Sequence, residues 1–258
     1  MPVSITRTAD DIAVLTFSAP PVNLYSATLH SEFDEALDEL EAQAPRALII
    51  RAEGKLVSGG VDVSLFADQA SEEATKVLYD RMLELPNRVA ALNYPTVFAA
   101  HALTLTWAFE VAVACDIILA TPNAKFGLVE RVIGLTPTMG GTQRLAGRAG
   151  VGRAKEFVFT GTPYDAETLE RWNVVNRVLP IEDFDAQVLT FTSTLAIGPT
   201  RAFGAAKDIL RHFESGGVAE ANTHTTAIAA ALFQTEDLQN GMKSFLDDGP
   251  GKATFNGR

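Results

Sequence analysis

Cysteine is almost missing from this chain: one residue, Cys115, among 258. A lone thiol closes no internal disulfide, and this one sits in an apolar run rather than in a Cys-x-x-Cys pair, so a disulfide framework and a thiolate metal site are both excluded. A reducing compartment is the simplest setting. Basic residues are also scarce, with 21 Lys and Arg against 32 Asp and Glu and a formal charge of −11. Nucleic acid or an anionic membrane requires a concentrated basic footprint, which this balance opposes. Any anionic ligand must therefore be gripped locally. No apolar run approaches the roughly 20 residues of a membrane span. The first twenty residues alternate polar and apolar positions and carry Asp10 and Asp11, unlike a basic-then-apolar secretory leader. The expectation is a soluble, cytoplasmic protein that binds neither nucleic acid nor membrane. Phosphate loops are missing too: neither GKLVSGGVDVSLF (Gly54 to Phe66) nor GLTPTMGGTQRL (Gly134 to Leu145) fits GxxxxGK[ST] or GxGxxG. Nucleotide hydrolysis and dinucleotide redox chemistry lose support accordingly.

What is present alternates. Short β-branched runs occur at DIAVLTFS, RALIIRA, YPTVFAA, CDIILAT and NVVNRVL, with helical periodicity between them. From Ala27 to Ala42, Leu29, Phe33, Leu37 and Leu40 share one helix face behind a Ser26 cap. This order predicts an α/β fold with crossovers, whose functional loops lie at strand ends. After about Ile197 the strands stop. Pro199 precedes a helix with Phe203, Ala206, Leu210 and Phe213 on one side, Gly216 and Gly217 break it, and the last helix begins at a Thr235 cap. The boundaries predicted are a core over residues 1–198 and a helical module over 199–258.

Two glutamates carry the chemistry. Glu110 lies in WAFEVAVACDIILA, where the only other charge is Asp116, and Glu130 follows in AKFGLVERVIG. An ionised carboxylate among apolar neighbours loses hydration worth several kcal/mol, or it takes up a proton and titrates near neutrality. It is then either a satisfied structural partner or a group held for proton transfer. The Gly59–Gly60 pair after a β run is either a plain turn or a place where backbone N–H groups face outward to bind an oxyanion.

Six blocks, in order and spacing, resemble the enoyl-CoA hydratase/isomerase (crotonase) superfamily: PPVNLYSATL, GKLVSGGVDV, EVAVACDIILAT, AKFGLVERVIGLTPTMGGTQRL, VFTGTPYDAETLERWNVVNRVL and TEDLQNGMKSFL. The resemblance implies a spiral of repeated ββα units with a C-terminal helical trimerisation module. It also implies a thioester site in which the backbone N–H groups of Val61 and Trp107 form the oxyanion hole and Glu110 and Glu130 act as the acid/base pair. The family's CoA-binding positions fall on Gly60, Asp62, Val63 and Lys252. The expected reaction is addition of water across the 2,3 double bond of an acyl-CoA, with isomerase, hydrolase or decarboxylase chemistry, or a non-catalytic CoA-binding subunit, as alternatives. No separate cofactor or metal is implied, because coenzyme A arrives with the substrate, and a homotrimer or dimer of trimers is the expected assembly. The chain departs from the pattern in four places. Thr106, Trp107 and Ala108 replace a glycine run, His101 and Ala102 replace an Asn-Gly pair, Val61 replaces a smaller residue, and no lysine follows Asp62 closely. Trp107 is either core filling or a narrowing of the acyl pocket, and His101 is either a structural tie or a titrating group.

Overall fold

The computed structural model describes residues 2–258. Strand β1 (Val3–Arg7) turns through Asp11, at φ 55°, into antiparallel β2 (Ile12–Phe17). Parallel pairing then adds β3 (Ala47–Ala52) and β4 (Thr96–Ala100). The strands are nearly continuous in Val, Ile, Leu, Ala and Phe because both faces of this sheet are buried. On one face Leu15, Phe17, Leu48, Ile50 and Phe98 meet helix α1 (Ala27–Ala42), and on the other Ile12, Ile49 and Val97 meet a later helix. Ser26 Oγ accepts the Leu29 N–H at 3.2 Å, so α1 starts where the cap predicts, and Leu29, Phe33, Leu37 and Leu40 are buried.

Between β3 and β4 lie the short α2 (Ser64–Ala67) and the long α3 (Glu72–Ala91). Beyond β4 come β5 (Thr104–Leu105), α4 (Trp107–Ala114), β6 (Ile117–Ala120) and β7 (Lys125–Gly127). Then follow α5 (Gly141–Ala149), α6 (Val151–Thr160), β8 (Tyr164–Asp165), α7 (Ala166–Arg171), β9 (Arg177–Val178) and α8 (Phe184–Ala196). The main sheet runs β1-β2-β3-β4-β6-β9, and a small second sheet runs β5-β7-β8. Helix α8 supplies Phe184, Val188 and Ala196 to the second face. This is the mixed α/β architecture expected, with one expected strand much reduced. Within 173–179 only Arg177 and Val178 pair, since Asn173 turns at φ 63° and the Val174 and Val175 N–H groups bond to Leu169 O at 2.8 and 3.1 Å. Their hydrophobicity reflects burial under α7 rather than sheet pairing. Strand β1, absent from the expected list, is an edge strand that buries Val3 and exposes Ser4, Thr6 and Arg7.

From Thr200 onward the chain is helical: α9 (Thr200–Ala231) bends at Gly217, and α10 (Glu236–Asp248) starts at Thr235, whose Oγ1 accepts the Leu238 N–H at 3.2 Å. Two half-buried cations bolt this tail to the core. Arg46 donates to Thr200 Oγ1 at 2.8 Å, Gly198 O at 2.6 Å and Phe255 O at 3.1 Å. Lys207 donates to Asp116 Oδ2 at 2.8 Å and to Tyr94 O at 3.1 Å. The sheet core dominates stability. Replacing the fully buried Phe98 by Ala should cost about 3–5 kcal/mol. Val132→Ala, at a site 79 % exposed, should stay within about 0.5 kcal/mol, and the denaturant midpoints of the two variants measure the contrast.

Candidate active site

Every residue of α4 is buried, and Glu110 is its only charge, 2 % exposed. The carboxyl is held by the turn before α5: Glu110 Oε1 accepts the backbone N–H of Met139 and of Gly141, each at 2.9 Å. That approach requires glycine, because a Cβ on Gly141 would stand 2.6 Å from Glu110 Cγ. Gly140 bends the backbone into the left-handed region at φ 87° so that both amides converge. Burial pushes the Glu110 pKa up to about 8, the charge of Glu130 adds to the rise, and the two amides and Arg144 pull against it. Arg144 is itself anchored to Asn87 Oδ1 at 2.6 Å and Met139 O at 3.2 Å.

Glu130 opens the 3-10 turn Glu130–Ile133, which ends at Gly134 with φ 76°. Burial pushes its pKa up to about 7, and its Oε2 is buried with no hydrogen-bond partner among the described residues. The structure thus brings the two predicted glutamates into one another's field. Burial moves both carboxyls upward towards neutrality, and because the charge of Glu130 acts on Glu110 the two behave as a coupled unit.

Two backbone donors stand in the adjoining segments. Residue 61 forms a parallel bridge with Tyr25, in which the Tyr25 N–H bonds to Gly60 O at 2.9 Å and the Asp62 N–H bonds to Tyr25 O at 3.1 Å. The Val61 N–H consequently faces away from Tyr25 and donates to no group among the described residues. Trp107 is the first residue of α4, where the helix leaves its N–H unpaired. One hydroxyl links these segments. Ser58 Oγ accepts the Gly60 N–H at 3.0 Å and Trp107 Nε1–H at 2.7 Å, and donates to Asn23 O at 2.8 Å. The Trp107 ring packs among Phe17, Tyr25 and Phe33, fully buried. It fills the core, which settles the choice the sequence left open.

Thr106, just before this helix, holds φ 47° and ψ −118°, a conformation suited to glycine, and its Oγ1 is buried without a partner among the described residues. The backbone here is thus of a glycine type although the residue is threonine. A Cβ on Gly60 would lie 3.3 Å from Thr106 Oγ1, so the two donor segments abut.

The sequence profile of enoyl-CoA hydratase/isomerase matches residues 7–258. The chain belongs to this family. A Mycobacterium bovis protein named "Probable enoyl-CoA hydratase" is 27% identical over 238 residues, covering 92% of this chain and 91% of that protein. The 2,3-dehydroadipyl-CoA hydratase of Escherichia coli is 28% identical over 239 residues, covering 91% of this chain and 92% of its own length. A solved enoyl-CoA hydratase subunit of Geobacillus kaustophilus superposes with TM-score 0.92 at 25% identity, over 100% of this chain and 99% of that one. The enoyl-CoA hydratase/isomerase family supports an enzyme acting on acyl-CoA.

Other expected positions are more dispersed. Asp62 Oδ1 accepts from Ser64 N at 3.0 Å and Ser64 Oγ at 2.8 Å, bonds that lower its pKa and set the turn into α2, while Val63 is exposed. Lys252 is exposed in a tail fastened to α10 and Arg46 rather than to either glutamate. His101 lies 3.0 Å, ring Nε2 to oxygen, from Gly54 O and acts as a tie between loops. Sequence reasoning missed Ser58, Asn23 and Arg144. The Ser in VSGG, a polar residue between an apolar run and two glycines, was the available signal for the first of these.

The Glu110 pKa fixes a pH dependence. Its folded value lies above the ordinary 4.5, so the protonated carboxyl favours the fold. That contribution is complete below about pH 4.5 and is lost as pH rises towards 8, at about 1.4 kcal/mol per unit of separation. Glu110→Gln, which keeps the Oε1 acceptor but cannot ionise, should therefore gain stability over the parent between pH 5 and 8. Urea midpoints across that range measure it, and a parallel pair of curves would contradict the raised value.

Proposed function

We propose that this chain hydrates a 2-enoyl-CoA, adding water across the 2,3 double bond while Val61 N–H and Trp107 N–H stabilise the thioester oxygen as it becomes enolate-like. The observation that carries the reading is the pair of desolvated carboxyls, raised to about 8 and about 7, together with two backbone donors that have no partner among the described residues, one of them at the start of the helix that carries Glu110. Such donors gain most when negative charge develops on the oxygen, so they favour the transition state over the ground state; removing one typically costs about 10² to 10³ in rate. Hydration needs one group to take a proton from water and another to deliver one to C2. Two carboxyls both raised towards neutral pH can divide these roles.

By resemblance, Glu110 activates the water that attacks C3 and Glu130 exchanges the proton at C2. Isomerisation is the second reading, because one carboxylate can shift a proton from C4 to C2 in the same oxyanion hole; the presence of both glutamates favours water addition. Gly60 gives the close backbone approach, while Asp62 and Val63 edge the entrance and Lys252 supplies a cation for the CoA phosphates. An apolar groove of ≈ 680 Å³ lies on α10 and the tail, lined by Met242, Phe245 and Phe255 and away from the glutamates. It supports burial of this face in a homotrimer or dimer of trimers.

Conjugated 2-enoyl thioesters absorb in the ultraviolet, so loss of that absorbance on mixing reports hydration. Glu130→Gln should lower turnover by at least about 10²-fold with little change in CoA affinity. Glu110→Gln should suppress hydration more than solvent exchange at C2. A panel of enoyl thioesters that bind without any turnover would replace the enzyme reading with a CoA-binding subunit.

A further inference from the structure

Helix α9 does not run straight. At Gly217 the backbone takes φ 73° and ψ −166°, which turns the second half of the helix back against the first. The bend brings together residues distant along a regular helix. The imidazoles of His212 and His224 stack with centroids 3.6 Å apart at 10°, and His224 Nε2 lies 3.1 Å from Glu220 Oε1. One ligand atom from each of the three lies within 4.8 Å of the others, and all three side chains are half-buried. Gly216 is part of the same arrangement, because a Cβ there would meet Glu220 Cβ at 2.5 Å. Two consecutive glycines thus permit the approach. The His212 ring makes no hydrogen bond among the described residues, and His224 bonds only to Glu220.

We propose that His212, Glu220 and His224 bind one divalent transition-metal ion of the zinc class, clamping the two halves of α9 across Gly217. Two imidazoles facing each other repel if both are protonated, whereas neutral imidazole nitrogens and a carboxylate are ligands a borderline cation prefers. Tetrahedral bonds of about 2.0–2.1 Å place ligand atoms roughly 3.3 Å apart, close to the existing Glu220–His224 separation. Rotation of the His212 ring completes the set. Partial exposure leaves a fourth position for water, and the net charge of −11 raises the local cation concentration. Hard ions such as Mg²⁺ prefer all-oxygen sites and are disfavoured here. This site is independent of the thioester chemistry.

The test uses the full chain stripped of metal with a chelator. Equilibrium dialysis against Zn²⁺ should give one bound ion per chain, and Zn²⁺ at 100 times its Kd should raise Tm by about 5–10 °C, with no rise in Mg²⁺. Co²⁺ should produce the visible bands of a tetrahedral nitrogen–oxygen site. Glu220→Gln and the double variant His212→Ala/His224→Ala should lose both binding and spectrum. Absence of stoichiometric uptake by the parent chain, uptake unchanged in the variants, or an equal effect of Mg²⁺ would overturn the proposal. The parent stoichiometry decides the matter even if the double variant does not fold.

Discussion

A carboxyl group buried in an otherwise apolar helix is the constraint on which the site depends. Glu110 can remain inside the protein only if its lost hydration is offset, and the Met139 and Gly141 amides offset part of it. Those amides converge because Gly140 adopts the left-handed region and Gly141 has no side chain, which explains the paired glycines at the start of α5. The remaining cost appears as a raised pKa, so the group keeps its proton into neutral conditions. Glu130, brought in by the 3-10 turn before this loop, adds a second carboxyl under the same penalty. Structural burden and reactivity have one origin.

The donor side of the site is built with comparable economy. A single buried hydroxyl, Ser58 Oγ, ties the Gly60 backbone to the Trp107 indole, and so to the first turn of α4. Trp107 anchors that helix start by filling the core, leaving its backbone N–H unpaired. Thr106 keeps a glycine-type backbone with a β-branched side chain, a strained combination that the surrounding packing maintains.

Much of the architecture was legible in the sequence because its signals are local. The face of α1 and its Ser26 cap, the Thr235 cap and the break at Gly217 follow from periodicity and capping chemistry, and the structure places each where the pattern does. The strand at 173–179 misled because Val174 and Val175 are buried without sheet pairing, and hydrophobicity alone does not separate the two. Glu110 was conspicuous as a charge among apolar residues, while Glu130 gained its significance from the block resemblance. The partners that tune them were not legible: Met139 and Gly141 act through backbone amides, and Ser58 through contacts 49 residues away in sequence. Whether Trp107 fills the core or the pocket depended on the direction of its ring, which no sequence pattern encodes.

The central claim is that the Glu110 and Glu130 carboxyls titrate near neutrality. Carbon-13 NMR of glutamate carboxyls, followed through pH 4 to 10 and assigned with the Glu110→Gln and Glu130→Gln variants, measures this directly. Two resonances with apparent midpoints near 8 and 7, each lost in its variant and the survivor shifted, are the predicted result. Midpoints for both near the ordinary 4.5 would contradict the account.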